Sequence, residues 1–275
     1  MIYNFDLRTV DGAYKFLLDF LGMSLQEYFK EWVINSDSDI DKFWERNGKR
    51  TTNIELKDIR ILAFHVVGSV DGCEEIRLHG LKNLKKVLAE NTQLNRILKS
   101  YKLVFDIDKQ LMVYKGEEYS IDYDWYKRNS PLTSFGEHLK AIAHRIYYDY
   151  CINGFLFNDD ILSYGTYIHT RPEFMMKLSS TFPELEAMES EWASRSKSYK
   201  VNFYATIDQI HRFTFDLNET QEELTSDEIE QIKYWLVNQA INRVNNYLSH
   251  AVLIYINDEM EIPPEQIVNF EEIHI

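Results

Sequence analysis

The segment Ile59-Arg-Ile-Leu-Ala-Phe-His-Val-Val67 is the centre of the predicted fold. It is short, nearly continuous in apolar residues and rich in β-branched side chains, a pattern typical of a buried strand. An imidazole, that of His65, is therefore expected on a buried strand. A loop over residues 68–72 and a short helix over residues 74–79 are predicted to follow it, and Gly80 ends that helix.

Elements on both sides of this strand predict a mixed architecture. Apolar residues recur at helical spacing over residues 11–34, so we predict an N-terminal helical extension over residues 1–52. Residues 53–275 are predicted to form one α+β domain. Within it, residues 84–101 and 135–151 fit single helices, and the alternation over residues 102–121 fits an inserted hairpin.

The C-terminal half completes the predicted domain. Strands are expected over residues 164–170, 199–206 and 251–256, with a helix beginning after Arg171-Pro172 and a long one over 226–248. Helices and strands are mixed without a regular βαβ rhythm, which favours the α+β class over a doubly wound sheet.

The acidic composition limits the partners expected. The 44 acidic residues against 30 basic ones give a formal charge of −14, which repels nucleic acid and anionic membranes. The two cysteines match no metal or redox spacing, which suits a reducing compartment. No apolar run approaches the roughly 20 residues of a membrane span, and the N-terminus lacks signal-peptide features. We expect a cytoplasmic protein without a membrane partner.

Several common sites find no support in the sequence. It has no glycine-rich phosphate loop and no His-Glu-x-x-His pair. The pairs His138 with His144 and His169 with His211 lack ligand spacing, so no metal is expected. Cys73 is a lone thiol, and such a residue is usually a small buried hydrophobe.

A basic stretch contrasts with the acidity of the chain. Only Glu90 opposes its six cations, which are Lys82, Lys85, Lys86, Arg96, Lys99 and Lys102. Such a face suits a pyrophosphate or an acidic partner. A solvated helix face explains it equally well.

Three short stretches follow His65 in order. Ser69 lies in the next loop, and Gly80-Leu81 follows the short helix. Gly165-Thr-Tyr167 then precedes the Arg171-Pro172 helix start, and the last predicted strand is followed by Ile262-Pro-Pro-Glu-Gln-Ile267.

This order resembles the ADP-ribosyltransferases of the diphtheria-toxin and poly(ADP-ribose) polymerase type, which include bacterial toxins. The likeness spans about residues 59–275 through these short stretches only. It implies a split mixed sheet with flanking helices and NAD as the substrate. It also implies transfer to an unknown macromolecule, protein or nucleic acid, in a bacterial toxin or phage-defence effector.

The resemblance assigns NAD-binding roles to particular residues. His65 is similar to the histidine that hydrogen-bonds a ribose hydroxyl, a role that suits a neutral imidazole. The backbone of Val66 corresponds to the position that meets the nicotinamide amide, where the family usually has glycine. Tyr167 is similar to the tyrosine that stacks on nicotinamide. The other candidates for NAD binding are Ser69, Gly80 and Tyr164.

The catalytic carboxylate departs from the family pattern. Breaking the nicotinamide–ribose bond passes through an oxocarbenium-like state that a carboxylate stabilises. The family places a glutamate at the head of the last strand, where this chain has Ser249-His250. Glu259 and Glu261 follow that strand instead. The catalytic candidates are thus Tyr167, Glu259, Glu261 and His250, and altered or lost activity stays open.

Two alternatives follow from this departure. The first is a non-catalytic interaction protein that keeps the fold and uses its N-terminal helices and acidic surface for a partner. The second is an RNA 2′-phosphotransferase-like activity, for which the basic stretch over residues 82–102 would hold phosphate.

Overall fold

The computed structural model describes residues 1–129, 131–165, 167–219 and 223–274. The helices are α1 (Val10–Leu21), α2 (Leu25–Phe29), α3 (Ile40–Asn47), α4 (Glu74–His79), α5 (Leu84–Ala89), α6 (Gln93–Ser100), α7 (Tyr123–Arg128), α8 (Ser134–Tyr147), α9 (Glu173–Thr181), α10 (Glu186–Arg195) and α11 (Ser226–Val244). The strands are β1 (Tyr3–Asp6), β2 (Ile59–Ser69), β3 (Leu103–Asp106), β4 (Leu111–Tyr114), β5 (Glu117–Ser120), β6 (Asn153–Phe157), β7 (Lys197–Thr206), β8 (Val252–Tyr255) and β9 (Ile267–Glu272). In these described residues, no helix is both long and apolar enough to cross a membrane.

The strands form two sheets with mainly antiparallel pairing. The larger sheet has the order β8-β6-β2-β7-β9, and β1 pairs with β2 outside this path. The smaller sheet is β3-β4-β5. β6 runs antiparallel to β2 and β8, whereas β1 runs parallel to β2. The expected mixture of helices and strands is confirmed, and the ADP-ribosyltransferase arrangement of the sheet stays a prediction.

The chain forms two compact units. The first unit comprises Met1–Phe64, Asn153–Asp159 and Phe203–Ile256. The second comprises His65–Ile152, Asp160–Asn202 and Asn257–Ile275. Residues 1–52 therefore share the first unit with segments from the middle and the end of the sequence.

The core of the first unit is built around β1, which the sequence patterns do not predict. Tyr3 to Asp6 pair in register with Ile59 to Leu62. Phe5 is fully buried, and its ring lies edge-on to Phe16 at a centroid distance of 5.0 Å. Four residues are too few for an alternating pattern to be recognised, so tertiary burial of Phe5 defines this strand.

The helix α11 begins at a well-defined cap in the first unit. Thr225 accepts a hydrogen bond from the amide of Glu228 at 3.3 Å, and the Glu228 carboxylate accepts one from the Thr225 amide at 2.8 Å. This reciprocal capping box satisfies amides that the first turn would otherwise leave free. It confirms the predicted start, and the helix ends at Val244, four residues before the expected end.

The segment over residues 84–121 of the second unit differs from the sequence predictions in two places. Residues 102–121 form three short strands, with turns between them, where a two-stranded hairpin was expected. The expected single helix over residues 84–101 is two helices, α5 and α6. The helix is interrupted between them because Thr92 is the N-cap of α6. Its side-chain hydroxyl accepts a hydrogen bond from the amide of Asn95 at 3.1 Å.

The expected strand over residues 164–170 is wrong for the residues that the structure describes. Residues 161–165 and 167–170 form bends and turns, and Thr166 lies outside the described residues. Gly165 and Tyr167 have φ angles of +55° and +58°. A left-handed backbone is incompatible with a strand, although the aromatic and β-branched side chains suggest one.

Candidate functional site

A groove of about 480 Å³ opens on the first unit. Its volume lies within the roughly 300–1,000 Å³ range of ligand pockets. Six of its lining residues recur on one face of α11 at helical spacing. The other four come from α3 and from Phe215 and Asp216. The lining residues are Asp41, Trp44, Phe215, Asp216, Glu230, Gln231, Tyr234, Trp235, Asn238 and Gln239.

The floor of the groove is aromatic. Trp235 lies edge-on to Phe215 with ring centroids 5.2 Å apart. The centroid of the Phe5 ring is 6.1 Å from that of Trp235. Phe215 and Phe5 are almost completely buried. The indole is therefore held between core side chains, which gives the groove a rigid base.

The rim joins α3 to α11 through Tyr234. The Tyr234 hydroxyl donates a hydrogen bond to Asp41 Oδ1 at 2.9 Å. Its ring lies edge-on to Trp44 at 5.8 Å. Burial, reinforced by the bond to the carboxylate, raises the pKa of Tyr234 to about 12. The phenol therefore stays protonated at neutral pH and holds Asp41 beside the two rings.

The second carboxylate of the groove belongs to Asp216, a residue with a left-handed backbone. Asp216 has a φ of +59° and ends a short 3₁₀ turn. The Gln231 side-chain amide donates to the carbonyl of Asp216 at 3.1 Å, which ties this turn to α11. Glu230 adds a third exposed carboxylate. None of the ten described lining residues is cationic, so the groove favours a positively charged occupant.

No protein-family model, curated protein or solved structure matches this chain. The resemblance to ADP-ribosyltransferases accordingly stays a prediction from short motifs.

The first motif residues, His65, Val66 and Ser69, all lie on β2 in the second unit, and the expectation that Ser69 lies in the following loop is wrong because β2 extends to it. His65 is half-buried and Val66 is buried. Ser69 donates to Asp71 Oδ1 at 2.7 Å and accepts from the amide of Cys73 at 2.9 Å. Ser69 thus fixes the turn that leads into α4.

The structure brings together two of the motif stretches. The amide of Leu81 donates to the carbonyl of Ile262 at 2.8 Å, and the amide of Ile262 donates to that of Leu81 at 3.1 Å. Gly80 has a φ of +76°, and a Cβ there would lie 2.0 Å from the Ile262 oxygen. Only glycine allows this approach, so the position of Gly80 before Leu81 has a structural cause.

Tyr164 and Tyr167 lie in the turns that replace the expected strand. Tyr164 is half-buried, and Tyr167 is 64% exposed. The Tyr167 ring is 6.0 Å from that of His169, which is buried and whose Nδ1 has no partner among the described residues. Burial and the nearby Arg171 lower the pKa of His169, so its ring is neutral at pH 7.

The candidate catalytic residues have separate surroundings. Glu259 is exposed and accepts from the Tyr150 hydroxyl at 3.1 Å. Glu261 pairs with the Lys86 ammonium at 3.1 Å. His250 is exposed between α11 and β8 and belongs to the first unit.

Several cations of the basic stretch have partners within the second unit. Lys82 forms an ion pair with Glu90, and Lys85 lies over the Tyr150 ring at 3.6 Å. Lys86 is engaged with Glu261, as above. Arg96, Lys99 and Lys102 are exposed. The RNA 2′-phosphotransferase-like activity stays a prediction.

The groove residues were not singled out in the sequence. Glu230, Tyr234 and Asn238 recur every four residues on the helix predicted over 226–248, so the composition of that face is visible in advance. Their relation to Asp41 is not visible, because it joins segments almost two hundred residues apart.

Proposed function

We propose that this chain is a non-catalytic binding protein whose first unit holds a positively charged group in the groove between α3 and α11. The observation that carries this proposal is the lining, which combines three carboxylates with four aromatic rings and no cation among its ten described residues. This agrees with the alternative of an interaction protein that uses its N-terminal helices and acidic surface.

The chemistry of the lining selects for charge and shape. Ring faces attract cations through their quadrupoles, by about 0.5–2 kcal/mol depending on desolvation. Hydrogen bonds between a cation and a carboxylate are stronger than neutral ones. An anionic ligand would be repelled by the carboxylates of Asp41, Asp216 and Glu230 at the rim.

Methylguanidinium and methylurea separate charge from shape, because the two have nearly the same outline. We expect millimolar methylguanidinium to shift the indole NMR signals of Trp44 and Trp235, whereas methylurea leaves them unchanged. The double variant Asp41→Asn with Glu230→Gln should lower the affinity by about ten-fold or more, since each carboxylate contributes a charge-assisted hydrogen bond.

The matched control is Glu45→Gln with Asp227→Asn. It removes the same charge from the same two helices at exposed positions outside the lining. We expect this control to bind like the wild type. Equal shifts with methylurea, or equal losses in both double variants, would contradict binding in the groove.

An NAD-dependent ADP-ribosyltransferase is the second candidate function. It is favoured by the contact of Gly80-Leu81 with Ile262, since both stretches belong to the motif order and are far apart in sequence. In this reaction, nicotinamide leaves the ribose C1 atom, a nucleophile of the acceptor bonds to that carbon, and the nucleophile loses its proton. His65 would bind a ribose hydroxyl and Tyr167 would stack on nicotinamide.

Labelled NAD tests this second candidate. If the chain is a transferase, the wild type incubated with NAD and cell extract transfers label and releases nicotinamide, and His65→Ala or Tyr167→Phe abolishes both. The control variant is His274→Ala, which changes an exposed histidine outside the motif stretches. If the wild type neither transfers label nor releases nicotinamide, the transferase candidate is lost and the binding proposal is unaffected.

A further inference from the structure

We infer that the occupant of the groove on the first unit is an arginine-bearing basic segment of a partner polypeptide, an inference that rests on the proposed binding function. The size of the groove, the nature of its donors and acceptors, and its charge each contribute to this assignment.

The preference for arginine over lysine follows from the rings and the acceptors. Trp44 and Tyr234 are nearly perpendicular, at 84°, so one ring offers a face while the other borders it. A planar guanidinium stacks on such a face and still directs donors in its plane to several acceptors. The Asp41 and Glu230 carboxylates supply those acceptors. A lysine ammonium is more strongly hydrated, has three donors and does not stack.

Guanidinium groups of the chain itself lie over aromatic rings. Arg60 lies over the Tyr204 ring at 4.5 Å, and Arg243 lies over the Phe157 ring at 4.4 Å, both within the first unit. These contacts show that a guanidinium can lie over an aromatic ring in this unit. The groove offers Trp44 and Tyr234 for the same contact with a partner.

The number of carboxylates favours a segment over a single amino acid. One guanidinium carries one charge, so it leaves two of the three carboxylates at Asp41, Asp216 and Glu230 without a cation from the ligand. Additional basic residues beside the arginine would meet them. The chain's formal charge of −14 attracts the same kind of segment and repels the phosphates of nucleic acid.

The amide side chains of α11 suit a polypeptide backbone. Asn238 and Gln239 lie along the groove and carry both donors and acceptors, whereas the side-chain nitrogen of Gln231 is already bonded to the turn at Phe215 and Asp216. Peptide groups on either side of an inserted arginine require this combination. A volume of about 480 Å³ leaves room for neighbouring atoms beyond the guanidinium.

Fluorescent peptides test the inference on the full chain. The probes are acetylated Ala-Arg-Ala-Arg-Ala, the same peptide with lysine, the same peptide with neutral citrulline, and N-acetyl-arginine amide. We expect the arginine peptide to bind about ten-fold more tightly than the lysine peptide or the amide, and the citrulline peptide not to bind. Asp41→Asn with Glu230→Gln should remove this preference, whereas Glu45→Gln with Asp227→Asn should keep it.

Each other outcome has a distinct meaning. Equal affinity of the lysine and arginine peptides would overturn the arginine assignment and leave a cation-binding groove. Equal affinity of N-acetyl-arginine amide and the arginine peptide would overturn the polypeptide assignment. If none of these cations and no methylguanidinium bound, the proposed function itself would fail.

Discussion

Replacing Gly80 by alanine is expected to lower the free energy of unfolding of the second unit by about 3 to 5 kcal/mol. The new Cβ would lie 2.0 Å from the Ile262 oxygen and 3.0 Å from the carbonyl carbon of Pro263. Both are backbone atoms, so no flexible side chain can move aside. The φ of +76° with a ψ of −171° adds the cost of a conformation that is essentially restricted to glycine.

Gly116→Ala is the control for a positive φ without a backbone clash. Gly116 also has a positive φ, +90°, but a Cβ there would meet nothing within 4 Å. We expect Gly116→Ala to lower the free energy of unfolding by only about 1 to 2 kcal/mol. Urea unfolding measures both variants, and hydrogen exchange at the amides of Leu81 and Ile262 localises the loss. Equal losses of stability in the two variants would show that the contact with Ile262 does not restrict position 80 to glycine.

The elements with strong periodicity were predictable from the sequence. The buried run at residues 59–67 is part of β2, the strand expected at 251–256 is β8, and the long helix expected from residue 226 is α11. These elements carry their own local signal of apolar continuity or helical periodicity. Their existence therefore follows from residues close together in the chain.

The errors arise where backbone conformation or distant packing decides. The 164–170 segment has strand-like side chains, but Gly165 and Tyr167 adopt positive φ, which composition does not reveal. Strand β1 has four residues and is defined by its partner β2 and by the burial of Phe5. Local patterns contain neither kind of information.

The candidate groove shows the same limit. Its α11 face was visible as a stripe of acidic, aromatic and amide side chains, yet such a stripe is equally typical of a solvated helix. The hydrogen bond from Tyr234 to Asp41 and the packing of Trp235 on Phe215 turn that stripe into a concave surface. Both are long-range contacts, so only the folded structure distinguishes the groove from an ordinary helix surface.

Trp235→Ala is expected to destabilise the first unit by about 3 to 5 kcal/mol, because it removes a large buried ring and leaves a cavity between Phe5 and Phe215. The matched control is Trp125→Ala. Trp125 is 47% exposed, so its truncation should cost less than about 1 kcal/mol. Thermal and urea unfolding measure both changes.

Comparing Trp235→Ala with the groove variants separates the packing role of Trp235 from ligand binding by the rim carboxylates. Since Trp235 forms the floor, its loss should weaken methylguanidinium binding together with stability. Asp41 and Glu230 are exposed at the rim, so Asp41→Asn with Glu230→Gln should weaken binding while the free energy of unfolding changes by about 1 kcal/mol or less. If Trp235→Ala left the stability unchanged, the indole would not be a packed floor. The rigid base on which recognition of a cation depends would then be absent.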